Sequence, residues 1–452
     1  MGCDCRSSAA SPPVNGWEAA PWYFFAMTQT QAMTPLAITA YTATTAVGQG
    51  RAALEDALLS RRSGLVYNDY SDALMGVPLP TWIGRVVGLE DAPLPAPYEG
   101  LDCRNNRLAW IAIHHDEFIG AARGAVARYG ALRVAVLLGT STSTIAASEA
   151  AYRDFARGAE PGPSPHNREL HHLHATTALV RDLVGAHGPC TTISTACASS
   201  AKVFAQAARL ISLGLVDAAV VAGVDSLAAS TLFGFHALGL VSTEPCRPFD
   251  RRRDGISIGE AAGFALIERA DRAVSRVSSR AVPDPPLLIG YGESSDAHHM
   301  SSPHPQGFGA RLAIGAALDR AGLGAADVDY VNLHGTATPK NDAVEAALIA
   351  ELFPASTRAS STKAWTGHTL GAAGIIEAIV ALIAMRVGIA PGCLGAEQPD
   401  PVCGPQLRLR NEACEIGIAL SDAFAFGGNN CVLAFARDAT ALRSATDRER
   451  GR

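Results

Sequence analysis

The chain predicts a layered α/β protein built as two related halves, on three observations. From Pro35 onward, short apolar runs rich in β-branched residues alternate with longer stretches of helical periodicity, the signature of strands packed under helices. The length of 452 residues exceeds what one hydrophobic core normally supports. Hydrophobic residues make up 48% and charged ones 18%, which excludes a disordered or fibrous chain.

Residues 1–32 are Gly-, Ser-, Pro- and Ala-rich without periodicity, and they read as an extension outside the fold. They lack the charged start and continuous apolar core of a signal peptide. Gly2-Cys3 is not an acylation start, because Arg6 stands where that pattern needs Ser or Thr. Strands are predicted at 36–40 and 134–139, then at 191–195, where Thr191, Thr192, Ile193 and Thr195 are β-formers. After a turn, Val203, Ala207, Leu210 and Ile211 trace one face of a helix that Gly214 ends. Further strands are predicted at 218–224 and 264–267. A proline-rich break at 282–286 separates an amino-terminal half, 33–282, from a carboxyl-terminal half, 283–437. The second half holds predicted strands at 287–289, 330–333, 416–420 and 431–435, and 438–452 reads as a polar tail. Strand, reactive residue and helix recur in 191–214 and 328–350, which suggests an internal duplication with a largely parallel core.

Ten cysteines are spread irregularly, with no C-x-x-C pair and no histidine at zinc-ligand spacing, so reduced thiols in a cytoplasm and no metal site are expected. A net charge of −6 argues against a nucleic-acid binder. No membrane span is expected, since the apolar runs at 218–224 and 375–385 are too short or broken by Glu377.

Four segments contain the reactive side chains. Cys197 falls at the start of the helix after 191–195, where unpaired N–H groups and the helix dipole favour a thiolate. His334 ends the apolar strand 330–333 and is followed by Gly335-Thr336-Ala337-Thr338-Pro339. Lys363 and His368 lie in a glycine-rich turn before the apolar helix that starts at Ile375. Phe424-Ala425-Phe426-Gly427-Gly428-Asn429-Asn430 joins the last two strands as a hairpin. Each alone has an ordinary structural explanation, from a buried inert thiol to a helix-packing glycine.

Taken together, from about 34 to 437, the four segments resemble the β-ketoacyl-acyl-carrier-protein synthases, with Pro248-Phe249-Asp250-Arg251, Asp254-Gly255, Asp342 and Glu345 adding to the match. The resemblance implies a thiolase-like fold of two βαβαβ halves in five αβαβα layers, dimerisation, and an elongating 3-oxoacyl synthase, an acyltransferase acting on carrier-protein thioesters. By the same resemblance Cys197 takes the acyl group without a paired base, while His334 and His368 hold the malonyl thioester as carbon dioxide leaves. Lys363 with Glu345 would fix the histidine tautomers, and the N–H groups of Cys197 and Phe426 would form the oxyanion hole, Phe426 also gating. Thr336 and Thr338 match positions that bind the phosphopantetheine arm, while Phe235, Phe424, Gly427 and Gly428 would line the substrate path. No bound cofactor is expected, because the carrier protein brings the phosphopantetheine. Arg61 and Arg62 would lie near the acidic carrier protein.

There are departures from the family pattern. Ala425 stands where glycine is usual, Asn429 where threonine is usual, and Trp365 is bulkier than the usual neighbour of the lysine, so an altered gate and a reshaped cleft are expected. His171, His172 and His174 read as solvated or interface residues in a helix. Two histidines favour elongation over initiating relatives, which pair histidine with asparagine. A catalytically silent chain-length partner would lack Cys197, and a coenzyme-A-dependent thiolase would want the second cysteine that Cys393-Leu394-Gly395 offers only formally, ahead of the last two strands. The segment 231–236, Trp365 and Asn429 resemble specialised ketosynthases of aryl polyene clusters, in which a silent homologue could complete a heterodimer.

Overall fold

The computed structural model describes residues 32–70, 76, 79–158, 168–271 and 284–450. The extension 1–31 and the expected boundary at 282/283 lie outside them. Ten strands carry the architecture: β1 (Leu36–Thr45), β2 (Val134–Gly139), β3 (Cys190–Ile193), β4 (Ala218–Asp225), β5 (Ala261–Arg269), β6 (Leu287–Ser295), β7 (Tyr330–Asn332), β8 (Arg358–Ser360), β9 (Ile418–Ala425) and β10 (Asn429–Ala436). They follow the order β3-β2-β4-β5-β1, then β6-β10-β9-β7-β8. Relabelled from each half's own start, both halves read 3-2-4-5-1. They meet where Leu36 pairs with Leu288 and Ala37 with Leu287.

The core is less parallel than the sequence predicts. Strands β3, β2 and β4 are parallel, as are β8, β7 and β9, but β5 and β1, and likewise β10 and β6, run antiparallel. The short turn 426–428 between β9 and β10 allows no other direction, since a parallel pair needs a crossover.

Helices form the remaining layers: α1 (Gly50–Ser60), α2 (Arg104–Ile113), α3 (Phe118–Tyr129), α4 (Ile145–Ala156), α5 (Ala175–Val184), α6 (Ser199–Ser212), α7 (Ala229–Ala237), α8 (Phe308–Ala321), α9 (Pro339–Leu352), α10 (Lys363–Thr366), α11 (Ala373–Val387) and α12 (Ala439–Arg450). Helices α6 and α11 pack on each other and on strands of both halves, which makes them the central layer. Val203, Ala207 and Ile211 of α6 share one core with Ile375, Ile379 and Ile383 of α11. A second core lies under α2, α3 and α5, and a third under α8, α9 and α12, completing an α/β fold of five layers.

Two expectations change. The echo of 191–214 is 358–387, because β3 and α6 correspond to β8 and α11, whereas β7 and α9 correspond to β2 and α4. Strand β8 is only Arg358-Ala359-Ser360, too short and polar to register as an apolar run. The tail at 438–452 contains α12, whose Ala439 and Leu442 pack on the carboxyl-terminal core around buried Ala445. Residues Leu370–Val387 are also long and apolar enough to cross a membrane by composition, with 89% of that stretch buried in the protein. That burial is what the central helix of a five-layer fold requires.

Candidate active site

Cys197 lies in the tight turn between β3 and α6, two residues before the first helical residue. Ala196 ahead of it adopts a left-handed φ of 50°, a conformation unfavourable for a residue with a Cβ. Ser199 stabilises that turn: its Oγ accepts the Thr195 N–H at 2.9 Å and donates to the Ala196 carbonyl at 2.5 Å. Cys197 is thereby held just ahead of the helix, and the residue is 6% exposed.

The two histidines come from the other half. His334 leaves β7, and Glu345 on α9 accepts the backbone N–H of both His334 and Gly335 at 2.7 Å. His368 leaves α10 and crosses to the amino-terminal half, where its N–H donates to the Ser257 carbonyl at 2.7 Å and its carbonyl accepts the Gly259 N–H at 2.9 Å. Asp225 at the end of β4 clamps the same turn, accepting the Gly371 N–H at 2.6 Å as well as the Thr140 hydroxyl and the Ser141 and Thr142 N–H groups. The imidazole rings stand 5.5 Å apart, nearly perpendicular, and His368 Nε2 lies 2.9 Å from Cys197 Sγ. That distance is within proton-transfer reach, so an imidazole adjoins the sulfur where the sequence led to no paired base being expected.

Lys363 is buried behind the histidines. Its ammonium donates to the His334 carbonyl at 2.5 Å and pairs with Glu377 of α11. Glu377, not Glu345, is therefore its carboxylate partner, and both Lys363 and Glu345 hold the backbone of His334 rather than an imidazole. Among the described residues neither histidine Nδ1 has a hydrogen-bond partner.

Burial dominates the electrostatics. It pushes the Cys197 thiol up to about 12, opposed by Lys363 and the Phe426 N–H. That shift runs against the helix-end thiolate expected from the sequence. Burial also holds both histidines well below the usual imidazole range, with Lys363 adding to the effect. Glu345 is raised to about 8 and Glu377 to about 7, again by burial. Asp422 on β9 is raised well above the carboxylate range by burial and then by Glu345, and neither of its oxygens has a partner among the described residues. Burial thus favours the neutral form of the thiol and of both imidazoles.

These groups line a cavity of about 360 Å³. Thr336 and Thr338 form one wall, their hydroxyl oxygens 2.9 Å apart, and Phe424 lies beside His334 with ring centres 6.1 Å apart. Phe235 stacks on Phe426 at 5.5 Å across the cavity. The Phe426 N–H favours the anionic form of the Cys197 sulfur, against the effect of burial. Cys197 Sγ and one ring nitrogen from each histidine lie within 4.8 Å of one another, a soft-metal donor set that sequence spacing had not revealed.

Other expected residues lie elsewhere. Gly427 and Gly428 do not line the cavity; both have left-handed φ, 74° and 70°, and form the turn, where a Cβ at 428 would strike Asp296 at 2.8 Å. Ala425 is extended, with φ of −109°, so alanine there causes no strain. Trp365 faces away from the cleft, its indole N–H donating to the Ala57 carbonyl at 3.0 Å. Asn429 accepts a hydrogen bond from Lys202 at 3.1 Å. Arg61 lies over Trp365 and donates to Asn411, and Arg62 pairs with Asp56; neither lines the cavity. His171, His172 and His174 occupy turns before α5 rather than a helix, with His171 bonded to Ser148 and His174 to Thr192. Cys393 is buried and accepts the Ser361 N–H, outside the cavity lining. All eight cysteines among the described residues are free thiols. Sequence reasoning missed the roles of Glu377 and Asp225. The one signal for Glu377 was a lone charge within an apolar helix, where a carboxylate must be paired.

The sequence model of the beta-ketoacyl synthase N-terminal domain matches residues 109–273, and that of the C-terminal domain matches 287–397. A mitochondrial 3-oxoacyl-[acyl-carrier-protein] synthase of Arabidopsis thaliana is 39% identical over 56% of this chain and 57% of its own, so the matched stretch spans little more than half of that relative. The 3-oxoacyl-[acyl-carrier-protein] synthase 2 of Staphylococcus aureus (strain COL) is 33% identical over 67% of this chain and 75% of its own. Among solved structures, a ketosynthase from Xenorhabdus doucetiae, in complex with its chain length factor, is 34% identical and superposes with a TM-score of 0.78 over 90% of this chain and 98% of its own.

Proposed function

The chain belongs to the beta-ketoacyl synthase family, and from that premise we propose that it is an elongating 3-oxoacyl-acyl-carrier-protein synthase. The observation that supports this best is the convergence of Cys197, His334 and His368 at one cavity, which Phe426 also lines. In the first half-reaction Cys197 attacks an acyl thioester. His368, 2.9 Å from the sulfur, takes the thiol proton and passes it to the departing pantetheine thiolate as the new S–C bond forms. The N–H groups of Cys197 and Phe426 receive the oxyanion.

In the second half-reaction a malonyl thioester occupies the emptied arm site. Cleavage of its C–CO2 bond leaves an electron pair that becomes an enolate, whose oxygen accepts hydrogen bonds from His334 and His368. Neutral imidazoles can donate without already being cations, and their depressed proton affinity suits that task. The carbanion attacks the acyl carbonyl, the Cys197 thiolate leaves, and one proton from solvent restores the thiol. Lys363 and Glu345 serve as positioning residues, since both bind the backbone of His334.

The substrates are an acyl-carrier-protein thioester and malonyl-carrier protein, in fatty acid or polyketide synthesis, and the free thiols suit a reducing cytoplasm. A ketosynthase-like second subunit is the partner proposed alongside the carrier protein. Helix α4 buries none of its residues and exposes Tyr152 and Phe155, and the Xenorhabdus relative is itself paired. The test is product analysis with acyl- and malonyl-carrier protein: 3-oxoacyl-carrier protein and carbon dioxide in equal amounts are expected. Acyl exchange without a carbon–carbon bond would overturn the assignment.

A further inference from the structure

The three reactive side chains also form a ligand set. Cys197 Sγ and one ring nitrogen each from His334 and His368 lie within 4.8 Å of one another, and His368 Nε2 is 2.9 Å from the sulfur. Among the described residues this is the one group of three or more His, Cys, Asp or Glu donors gathered so closely. A tetrahedral zinc site has Zn–S at about 2.3 Å and Zn–N at about 2.0–2.1 Å, which sets neighbouring donors roughly 3.5 Å apart. The one separation of 2.9 Å and the ceiling of 4.8 Å fall on either side of that spacing.

The surroundings suit an ion as well. Three protein ligands leave a fourth position open, and the cavity of about 360 Å³ that all three residues line supplies both that position and a route from solvent. Neither histidine Nδ1 has a hydrogen-bond partner among the described residues, although the two residues are only 2% and 1% exposed. Either ring can therefore present a lone pair without breaking a hydrogen bond at its other nitrogen. A thiolate with two imidazoles is a donor set for zinc or cobalt, whereas magnesium and calcium want oxygen.

We propose that Cys197, His334 and His368 form an inhibitory site for zinc or a similar borderline-soft divalent cation, which caps the nucleophile and withdraws both histidines from substrate. That the bound state is inactive rests on the condensing activity proposed above; the binding itself does not. No electron is transferred. The Cys197 S–H bond breaks, its proton goes to solvent, the sulfur electron pair forms the bond to the ion, and each imidazole contributes a lone pair. Two features hold the affinity down: the Lys363 ammonium behind the histidines repels a dication, and the missing Nδ1 partners are supports worth about 10- to 100-fold each at metal sites. Half-inhibition is therefore expected at zinc concentrations on the order of micromolar, weaker than at structural zinc sites.

The test uses the full chain, stripped of metal by a chelator, with Co2+ as the spectroscopic probe. Wild-type protein should bind one equivalent and develop a sulfur-to-cobalt charge-transfer band. Cys197→Ser should lose that band, and His334→Ala and His368→Ala should each weaken binding by about 100-fold or more, beyond the cost of losing a supporting partner. A second thiol–imidazole contact, Cys190 Sγ to His174 Nε2 at 3.6 Å, provides the control, and Cys190→Ser should keep the band. A band that survives Cys197→Ser, or that disappears in Cys190→Ser, overturns the site. Zn2+ should then inhibit condensation reversibly, shield Cys197 from iodoacetamide and raise the urea midpoint of wild-type protein but not of Cys197→Ser, while Mg2+ at the same concentration does none of these. Full activity with the cobalt site occupied overturns the inhibitory role. Metal-free wild-type protein that binds cobalt through Cys197 yet forms no carbon–carbon bond overturns the condensing assignment, while the spectrum still decides the site.

Discussion

In the amino-terminal half the connection from β3 to α6 is short, 194–198, and delivers Cys197 to the start of a central helix. At the equivalent place in the carboxyl-terminal half the connection from β8 to α11 runs over 361–372 and includes α10. The short connection holds the proposed nucleophile in the turn just before a helix. The longer one lets His368 reach the other half, where Ser257, Gly259 and Asp225 hold its turn. The equivalent βα connections at 140–144 and 333–338 differ likewise: the first wraps Asp225, the second supplies His334 and two threonines. Duplicated strand order thus gives two matching seats, and the chemistry arises because their connections diverged to meet at one seam.

The strongest way to break this division of labour is to remove the nucleophile. Cys197→Ala should abolish acyl-enzyme formation, with a loss of condensation of about 10⁴-fold or more, while far-UV circular dichroism stays unchanged. Retained condensation would move the nucleophile elsewhere. Next, His334→Ala and His368→Ala should each lower malonyl decarboxylation by about 10²- to 10³-fold. Only His368→Ala should also slow acylation of Cys197, because His368 alone is within reach of the sulfur. Equal acylation rates in the two variants would remove that asymmetry.

A third comparison concerns stability. Glu377→Ala strands the buried Lys363 ammonium and should cost about 3–5 kcal/mol, read from urea midpoints. Replacing Lys363 and Glu377 together by methionine should recover much of that loss while activity stays low. Full stability in Glu377→Ala would show that the pair does not anchor the seam.

The smallest effect is on pH dependence. Glu345 and Glu377 have folded values raised to about 8 and about 7 from 4.5. Between pH 4.5 and those values the unfolded chain has released protons that the folded chain retains, so the two carboxyls reduce stability as pH rises through that window. The depressed histidines act oppositely, reducing stability as pH falls below 6.5. Glu345→Gln should therefore flatten the decline in urea midpoint between pH 5.5 and 8, and an unchanged slope would contradict the raised value. The thiol gives a kinetic counterpart: alkylation of Cys197 by iodoacetamide should keep rising beyond pH 9, whereas a plateau near pH 7 would restore the thiolate expected from its helix-end position.

Much of this was legible in the sequence because its signals are local. Strand β2 coincides with the predicted 134–139, and the apolar face of α6 announces a buried helix after Cys197. His334, Thr336 and Thr338 share one short segment, so one motif places all three. What escaped the sequence depends on contacts distant along the chain. Glu377 finds Lys363 only once α11 is threaded between the sheets, and Asp225 reaches Gly371 across 146 positions. Strand β8 was missed because three residues, Arg358 half-buried and Ala359 and Ser360 buried, leave no periodicity to read. The activating effect expected of the helix start was opposed by something no motif records, the near-complete removal of the sulfur from water.

The division between the halves is tested most directly by a two-step mass measurement on the intact protein. Incubation with a short acyl-carrier thioester should add one acyl mass, located by digestion to the peptide containing Cys197. Addition of malonyl-carrier protein should then discharge that mass as 3-oxoacyl-carrier protein in wild-type protein, and leave it in place in His334→Ala. Label on another cysteine, no label at all, or discharge that proceeds equally well without His334 would contradict the account.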